Sequence, residues 1–179
     1  EGQKYYPVNL DVRNRDCLVV GGGAVGARKV STLLDCGARV TVVSPETVAE
    51  VDRLAESGAL VLEKRPFLPS DLDGRFLVIG ATDDEPLNRQ IRVEAEKRQM
   101  LCNIADFPEG CNFILPAVVR RGDLIIAEHG QYPKNEQGQT LYPRYEFFRE
   151  TVDVFRRSAF VDGPDLAARR SGRAPGWKP

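Results

Sequence analysis

The sequence predicts an α/β protein with a doubly wound parallel sheet. Three observations predict this fold: short apolar stretches alternate with stretches of helical spacing, the apolar stretches lack polar alternation, and three glycines lie between the first buried strand and the helix after it. Strands that are apolar throughout are typical of a parallel sheet whose two faces are covered by helices. The pattern holds over roughly residues 8 to 106.

The first elements follow from local composition. Apolar and polar residues alternate over 8–12, which predicts a half-buried strand, and the run CLVV at 17–20 predicts a fully buried one. Helical spacing of apolar residues over 24–34 predicts a helix that ends at Gly37, since glycine is the commonest residue after a helix C-terminus. The β-branched run at 39–43 predicts the next strand.

The remaining elements of this domain repeat the alternation. Thr82 and Asp83 are candidate N-caps for its last helix, and Pro86 is tolerated in the first turn of that helix. The predicted elements are a helix over 46–57 ended by Gly58, strands over 60–64 and 75–80, a helix over 86–98, and a strand over 100–104.

The alternation of predicted strands and helices ends after residue 111. Strands are predicted over 113–119 and 124–127, and apolar residues spaced by three and four over 143–160 predict one amphipathic helix. Gly, Pro and Arg dominate the end of the chain, which predicts disorder. We therefore expect three parts: the α/β domain at 1–111, a second, partly helical segment at 112–160, and a disordered tail at 161–179.

Composition excludes several classes of function. The 25 Lys and Arg nearly balance the 26 Asp and Glu, so neither a nucleic acid nor a membrane surface is expected as a partner. The stretch 1–7 lacks the features of a secretory signal, and we expect a cytoplasmic protein. The four cysteines form no C-x-x-C pair and are expected to be reduced and mostly buried. With His129 as the single histidine, no metal site is predicted.

Gly21, Gly23 and Gly26 form a G-x-G-x-x-G pattern between a predicted strand and a predicted helix. In a dinucleotide-binding fold of the Rossmann type, the first glycine permits a tight turn, the second admits the pyrophosphate, and the third lets the helix pack on the sheet. The N-terminus of the helix then offers N–H groups to the phosphates. The alternative is that these glycines only turn the chain. A phosphate-hydrolysing loop is excluded, because no G-x-x-x-x-G-K-[ST] pattern is present.

An acidic residue follows at the spacing that a dinucleotide site requires. Glu46 lies 20 residues after Gly26, where a carboxylate takes the adenosine ribose hydroxyls, although Ser44 and Pro45 separate it from the β-branched run. No Lys or Arg stands beside Glu46 to pair with a 2′-phosphate, which favours NAD over NADP. Thr82, at the end of another strand, is expected to border the nicotinamide side, unless helix capping is its whole role.

Three stretches together resemble the precorrin-2 dehydrogenase family, which includes the N-terminal module of siroheme synthase. The stretches are YYPVNLDVRNRDCLVVGGGAVGARKV, GATDDEPLNRQI and CNIADFPEGCNFILPAVVRRGDLIIA. They occur in the family's order and spacing from about Tyr5 to Ala127, roughly two-thirds of the chain. The resemblance implies a Rossmann-type NAD-binding domain and a homodimer formed by the segment after it.

The resemblance also implies an activity, the NAD-dependent oxidation of precorrin-2 to sirohydrochlorin. Asp106 matches the family's catalytic aspartate, and its place after a parallel strand suits an acid/base group, although an aspartate there also suits a turn. The family's nucleotide contacts fall on Ala24 and Val25 in the glycine loop and on Pro45 and Glu46 after the second strand.

A tetrapyrrole with eight carboxylates calls for cations near the cleft. Arg28, Lys29, Arg120 and Arg121 could each pair with these carboxylates, and each could equally be a solvated surface residue. Asn112 is a candidate for the edge of the macrocycle.

The chain departs from the family after DLIIA. The family continues with a hydroxyl- and glycine-rich segment, where this chain has EHGQYPKNEQGQ. Three alternatives to a simple dehydrogenase stay open: a bifunctional dehydrogenase and ferrochelatase, a non-catalytic NAD-binding module that has lost its chemistry through the altered segment, and an unrelated small-molecule dehydrogenase. His129, within the departing segment, is a metal contact in one interpretation and a surface or packing residue in the other.

Overall fold

A computed structural model describes residues 6–105, 107, 111–121 and 124–128 of the chain. The chain divides into two compact units, Glu1–Ile114 and Leu115–Pro179. The helix predicted over 143–160, the tail predicted over 161–179 and His129 lie outside the described residues.

The first unit contains a five-stranded sheet in which every pair of neighbouring strands is parallel, in the order β3-β2-β1-β4-β5. From β1, the sheet extends to β2 and β3 on one side and to β4 and β5 on the other, and a helix connects consecutive strands on each side. This arrangement is the Rossmann-type doubly wound topology. The predicted fold class is therefore confirmed. The strands are β1 (Asp16–Gly22), β2 (Arg39–Thr47), β3 (Val61–Glu63), β4 (Leu77–Gly80) and β5 (Leu101–Ile104).

Three helices and one 3₁₀ turn connect these strands. The helices are α1 (Ala24–Asp35), α2 (Ala49–Glu56) and α3 (Glu85–Lys97), and the 3₁₀ turn is Pro69–Leu72. Gly37 and Gly58 follow α1 and α2 with φ of 79° and 75°, as expected of glycines that end helices. In the described part of the chain, no helix has both the length and the apolarity needed to cross a bilayer.

Both faces of the sheet are covered, because consecutive residues of β1 point into different cores. Cys17 and Val19 join the core that contains residues of α1 and α2, whereas Leu18 and Val20 join the core that contains residues of α3. This double burial explains why the strand at 17–20 is apolar at every position.

The N-terminal segment differs from its prediction. No strand forms over 8–12; Tyr6, Val8 and Leu10 are exposed, and only Val12 is buried. Asn14 turns the chain into β1 with φ of 58°, and its N–H donates to the carbonyl of Gly37. The strand predicted from apolar alternation is therefore wrong, because a strand also needs a neighbouring strand with which to pair.

Two helices begin at residues that differ from those predicted from the sequence. The N-cap of α3 is Asp84, whose carboxylate accepts a hydrogen bond from the N–H of Leu87 at 3.0 Å, so Thr82 and Asp83 are not the cap. The helix predicted over 46–57 begins later, because β2 continues to Thr47.

The described part of the second unit is an antiparallel hairpin. Its strands are β6 (Ala117–Arg121) and β7 (Leu124–Glu128), paired from Ala117 opposite Glu128 to Arg121 opposite Leu124. The predicted pair of strands is confirmed, with the first starting later than expected. Phe113, predicted to lie in that strand, packs on the core of the first unit instead.

Candidate functional site

A cleft of about 1080 Å³ lies at the carboxyl edge of the parallel sheet. The last residues of β1 and β2 and the residues that follow β1, β4 and β5 line it, and this edge is where open α/β sheets bind ligands. The structure brings together eight of the nine residues that the sequence assigns to the cofactor: Gly21, Gly23, Ala24, Val25, Ser44, Pro45, Glu46 and Thr82. Gly26 does not line the cleft.

Gly21 and Gly26 are required by the fold itself. Gly21 has φ of 108°, which side-chain-bearing residues rarely adopt, and a Cβ atom there would overlap the carbonyl oxygen of Ala81. A Cβ atom on Gly26 would overlap the carbonyl oxygen of Gly21. Gly21 therefore lets the end of β1 pack closely on the residue after β4, and Gly26 lets α1 pack closely on the end of β1.

Gly23 differs from both, because a Cβ atom there would meet no atom within 4 Å. Its φ of −74° and ψ of −175° suit any residue, so neither the backbone nor the surrounding protein requires glycine. Gly23 is exposed in the cleft at the N-cap of α1. The open space beside this backbone leaves room for a bound molecule to approach it closely.

The N-terminus of α1 is open to an anion. No side chain caps it, and its first turn has no acidic residue. The first N–H groups of a helix lack intrahelical partners and carry the positive end of the helix dipole. A pyrophosphate beside Gly23 would satisfy these groups, so this loop fits the phosphates of a dinucleotide.

The end of β2 forms a bulge that reaches the cleft. Between the pairs Val20–Val43 and Gly22–Thr47, β1 advances two residues and β2 advances four. The buried Ser44 hydroxyl accepts a hydrogen bond from the N–H of Gly22 at 2.9 Å and donates to the carbonyl of Glu46 at 2.6 Å. The Glu46 carboxylate is exposed and has no hydrogen bond or ion pair within the described part of the chain. It is therefore available to ribose hydroxyls.

The loop between β4 and α3 is fixed by Asn88. The side-chain carbonyl of Asn88 accepts from the Thr82 hydroxyl at 2.9 Å, and its amide donates to the Thr82 backbone carbonyl at 2.9 Å. The Thr82 hydroxyl also accepts from the N–H of Asp84 at 3.2 Å. Thr82 thus borders the cleft as a rigid wall, and its hydroxyl proton is already used within the protein.

The described lining of the cleft contains the acids Glu46, Asp83 and Asp84 and no Lys or Arg. Lys64 forms an ion pair of 2.9 Å with Asp52, and the bonds from Lys64 and Thr47 lower the pKa of the Asp52 carboxyl below its ordinary value. This charge distribution opposes an additional phosphate on the adenosine ribose, because no cation of the lining would pair with it.

The carboxyl end of β5 also reaches the cleft. Ala105 lines it, and the N–H of Ala105 donates to the carbonyl of Gly80 at 2.8 Å. The Cys111 sulfur accepts a hydrogen bond from the N–H of Ile104 at 3.1 Å and contacts the carbonyl of Phe107 at 3.3 Å. Asp106, the predicted acid/base residue, follows Ala105 in the sequence and lies outside the described residues.

The predicted substrate residues Arg28, Lys29 and Asn112 do not line this cleft. Arg28 and Lys29 lie in α1 outside the lining, and Arg28 is exposed. Asn112 has a structural role, since its side-chain carbonyl accepts from the N–H of Cys102 at 2.8 Å and its amide donates to the carbonyl of Met100 at 2.8 Å. Arg120 and Arg121 are in β6, and their side chains lie outside the described residues.

Within the described part of the chain, no group of three or more His, Cys, Asp or Glu residues could hold a metal ion. All four cysteines are reduced, and Cys17 and Cys102 are buried, as the sequence predicts. Burial raises the pKa of the Cys17 thiol to about 11 and that of the Cys102 thiol to about 12.

Sequence reasoning missed several residues of the site. Gly22 and Asn88 shape the cleft through tertiary hydrogen bonds, and Pro66 and Phe67 add an apolar wall from the loop after β3. Gly22 and Asn88 lie inside stretches that carry the family resemblance, which is the one signal that could have indicated them. Pro66 and Phe67 have no such signal.

Comparison with known proteins gives consistent results. Residues 8–117 match the model of NAD_binding_7, an NAD(P)-binding family. Siroheme synthases of Escherichia coli O1:K1 and Escherichia fergusonii are each 42% identical over 123 residues, which is 69% of this chain and 27% of theirs. The solved structure of SirC, a precorrin-2 dehydrogenase, superposes with a TM-score of 0.67 at 29% identity, over 84% of this chain and 69% of SirC.

These matches confirm the family resemblance and the NAD(P)-binding class predicted from the sequence. The chain spans about a quarter of the length of the siroheme synthases that it matches.

Proposed function

The chain belongs to the NAD(P)-binding family NAD_binding_7, and from that premise we propose that it is an NAD-dependent dehydrogenase that oxidises precorrin-2 to sirohydrochlorin. The observation that carries the proposal is the backbone of Gly23, which faces open space at the uncapped N-terminus of α1. Two kinds of relative support the substrate: SirC is a precorrin-2 dehydrogenase, and the matched curated proteins are siroheme synthases.

In this proposal NAD extends along the carboxyl edge of the sheet. Its pyrophosphate lies beside Gly23, Ala24 and Val25, where the first N–H groups of α1 donate to the phosphate oxygens. Its adenosine ribose donates hydroxyl hydrogen bonds to Glu46, next to Ser44 and Pro45. Thr82 borders the nicotinamide side.

The charges of the cleft favour NAD over NADP. A 2′-phosphate would stand beside the Glu46 carboxylate in a lining that has no Lys or Arg among the described residues. With NAD the same carboxylate accepts a hydrogen bond from a ribose hydroxyl, and hydrogen bonds to a charged acceptor are among the stronger ones.

Asp106 is proposed as the acid/base group. Desaturating the macrocycle removes a hydride, which goes to the nicotinamide, and a proton, which a carboxylate within hydrogen-bond reach can accept. Asp106 comes two residues after the end of β5, and its neighbour Ala105 lines the cleft. This placement supports the role by position along the chain.

The substrate carboxylates call for cations, and Arg28, Lys29, Arg120 and Arg121 remain the candidates. Arg28 and Lys29 are in the second turn of α1, directly after the loop that holds the phosphates. Asn112 is less favoured as a substrate contact, because its side chain is already bonded to the backbone of Met100 and Cys102.

We also propose a cytoplasmic homodimer that forms through the second unit. Val118 and Ile125 are about half exposed, at 45% and 47%. The register pairs Val118 with Ala127 and Arg120 with Ile125, so Val118 and Ile125 lie on the same face of the hairpin. An exposed apolar face supports association, and light scattering on the purified chain would measure the mass directly.

The activity is tested by incubating precorrin-2 and NAD with the chain and following NADH and sirohydrochlorin. Turnover is expected with the native chain and lost in Asp106→Ala, while both proteins bind NAD with equal affinity. Asp35→Ala, an exposed change at the end of α1, is the matched control and should leave turnover unchanged. If the folded protein binds NAD but does not oxidise precorrin-2, the proposed dehydrogenase activity is wrong and the non-catalytic NAD-binding module is favoured. If the native chain and Asp106→Ala oxidise precorrin-2 at equal rates, Asp106 is not the acid/base group.

Adding ferrous iron and sirohydrochlorin to the same protein tests the bifunctional alternative. Siroheme formed faster than in a control without protein would show a ferrochelatase activity in addition to the dehydrogenase.

A further inference from the structure

We propose that Ser44 is a positioning residue that sets the preference for NAD over NADP by holding Glu46 at a fixed place beside the glycine loop. The inference rests on the proposed function, since it assumes that a dinucleotide binds in this cleft. Ser44 affects the choice between the two cofactors through the position of Glu46, and it does not contact the ligand itself.

The Ser44 hydroxyl is fully used within the protein. It accepts from the N–H of Gly22 at 2.9 Å and donates its proton to the carbonyl of Glu46 at 2.6 Å. Ser44 is 7% exposed, so its bond with Gly22 is buried and its bond with the Glu46 carbonyl is partly buried. A hydroxyl with its proton committed cannot donate to a ribose, and this separates Ser44 from the exposed Glu46 in function.

The two loops that this hydroxyl joins are in close backbone contact. A Cβ atom on Gly22 would lie 2.6 Å from the Thr47 methyl and 2.7 Å from the Glu46 carbonyl. The carbonyl of Gly22 accepts from the N–H of Val48 at 2.9 Å. Gly22 is therefore attached to the end of β2 at both its N–H and its carbonyl, and Ser44 supplies the bond nearer to Glu46.

Glu46 needs such a support because it belongs to a bulge. The two extra residues of β2 leave the ladder between Val43 and Thr47, and bulges redirect side chains at the edges of sheets. Pro45 restricts the backbone on one side of Glu46, and the Ser44 bond restricts its carbonyl. Without that bond, the carboxylate of Glu46 would sample several positions at the mouth of the cleft.

A mobile carboxylate would affect the two cofactors differently. NAD depends on the hydrogen bond from its ribose to Glu46, whereas NADP is disfavoured by repulsion between Glu46 and the 2′-phosphate. Displacing Glu46 weakens the first interaction and relieves the second. The pyrophosphate contacts are common to both cofactors, so a change confined to the glycine loop would alter both affinities equally.

The test measures dissociation constants for NAD and NADP by isothermal titration calorimetry on the full chain. Ser44→Ala is expected to weaken NAD about tenfold and to change NADP less than about twofold, because one hydrogen bond to a charged group is lost for NAD alone. Ser44→Thr keeps the hydroxyl and should keep the native preference for NAD over NADP. Ser57→Ala is the matched control, since its exposed hydroxyl also donates to a backbone carbonyl, that of Leu54 at 2.9 Å, at the end of α2.

A second variant guards against loss of folding. Ser44→Cys keeps the volume of the side chain and weakens both bonds, so it should reduce the NAD preference by a smaller factor, with a melting temperature near that of the native chain. A native ratio of affinities in Ser44→Ala or Ser44→Cys, or an equal loss for both cofactors, would overturn the assignment of Ser44. A native chain that binds neither cofactor would instead overturn the proposed function itself.

Discussion

The carbonyl oxygen of Gly21 occupies the space that a Cβ atom on Gly26 would need. These two residues belong to one glycine pattern, and their contact brings α1 against β1. Gly23, between them in the sequence, contacts nothing that a methyl group would displace. The pattern therefore contains two glycines that the fold requires and one whose backbone faces open space.

Alanine substitutions should separate these two roles. Gly23→Ala is expected to leave the free energy of unfolding within about 0.5 kcal/mol of the native value, since its φ of −74° suits alanine. It should weaken NAD binding at least tenfold, because the methyl group enters the place of the pyrophosphate. Gly26→Ala should destabilise the chain by about 2 kcal/mol or more through overpacking against Gly21.

Urea unfolding and calorimetric titration with NAD measure the two quantities. A Gly23→Ala variant that binds NAD normally would show that the phosphates do not approach this backbone. A stable Gly26→Ala variant would contradict the packing of α1.

The sequence predicted the sheet and the glycine loop well because both depend on local patterns. The run at 17–20 is apolar because β1 is buried on both faces, and the loop glycines are separated by fixed distances. Gly37 and Gly58 ended their helices as expected because positive φ is a property of the single residue. Such signals can be read without knowing the tertiary contacts.

The parts that failed depend on partners far along the chain. The segment 8–12 has the alternation of a strand but pairs with no described strand. The bond of the Asn112 side chain to the backbone of Cys102 is likewise a contact that the sequence pattern does not indicate. The bond from Gly22 to Ser44 joins residues 22 positions apart. Neither periodicity nor spacing identifies which distant group a side chain will meet, so Ser44, Asn88 and Phe67 acquire their roles only in three dimensions.

Asn88 provides a test of such a tertiary role. Asn88→Ala leaves the Thr82 carbonyl and hydroxyl without their partners at 2.9 Å, and we expect a loss of about 1–2 kcal/mol in the free energy of unfolding. Asn88→Asp should be intermediate, since it keeps the acceptor for the Thr82 hydroxyl and loses the donor. Urea titrations measure both, with Asn9→Ala as the control at an exposed position. Equal stability of Asn88→Ala and the native chain would remove Asn88 as the support of this loop.

The cysteines should differ in reactivity. Burial raises the pKa of Cys17 to about 11 and that of Cys102 to about 12, so at pH 8 their thiolate fraction is roughly a hundredfold or more below that of an ordinary thiol. Iodoacetamide followed by peptide mass spectrometry should modify Cys36, which is partly buried and more accessible to the reagent, at least tenfold faster than the buried Cys17. Unfolding in guanidinium should remove the difference. Equal rates in the native chain would contradict the burial of β1.

Asp71 should contribute to stability in a manner that depends on pH. Its carboxylate accepts two hydrogen bonds from the Arg65 guanidinium, at 2.7 and 2.9 Å, and one from the N–H of Leu68 at 2.8 Å. The bonds from Arg65 are the main reason that the pKa of Asp71 is below its ordinary value in the folded chain. Because the unfolded chain binds the proton more tightly, this contribution is complete above the ordinary pKa near 4 and is lost as the pH falls through the lower folded value.

Asp71→Asn removes the charge and keeps the shape of the side chain. At pH 7 it should lower the free energy of unfolding by about 1–3 kcal/mol, because a side chain only 9% exposed loses charge-assisted bonds. Between pH 5 and about pH 3 the native chain should lose stability more steeply than this variant, so the two curves converge. Urea titrations across this range measure the convergence, with Asp35→Asn, at an exposed position, as the control. Parallel curves for Asp71→Asn and the native chain would mean that Asp71 is protonated equally in the folded and unfolded states, contrary to its bonds with Arg65.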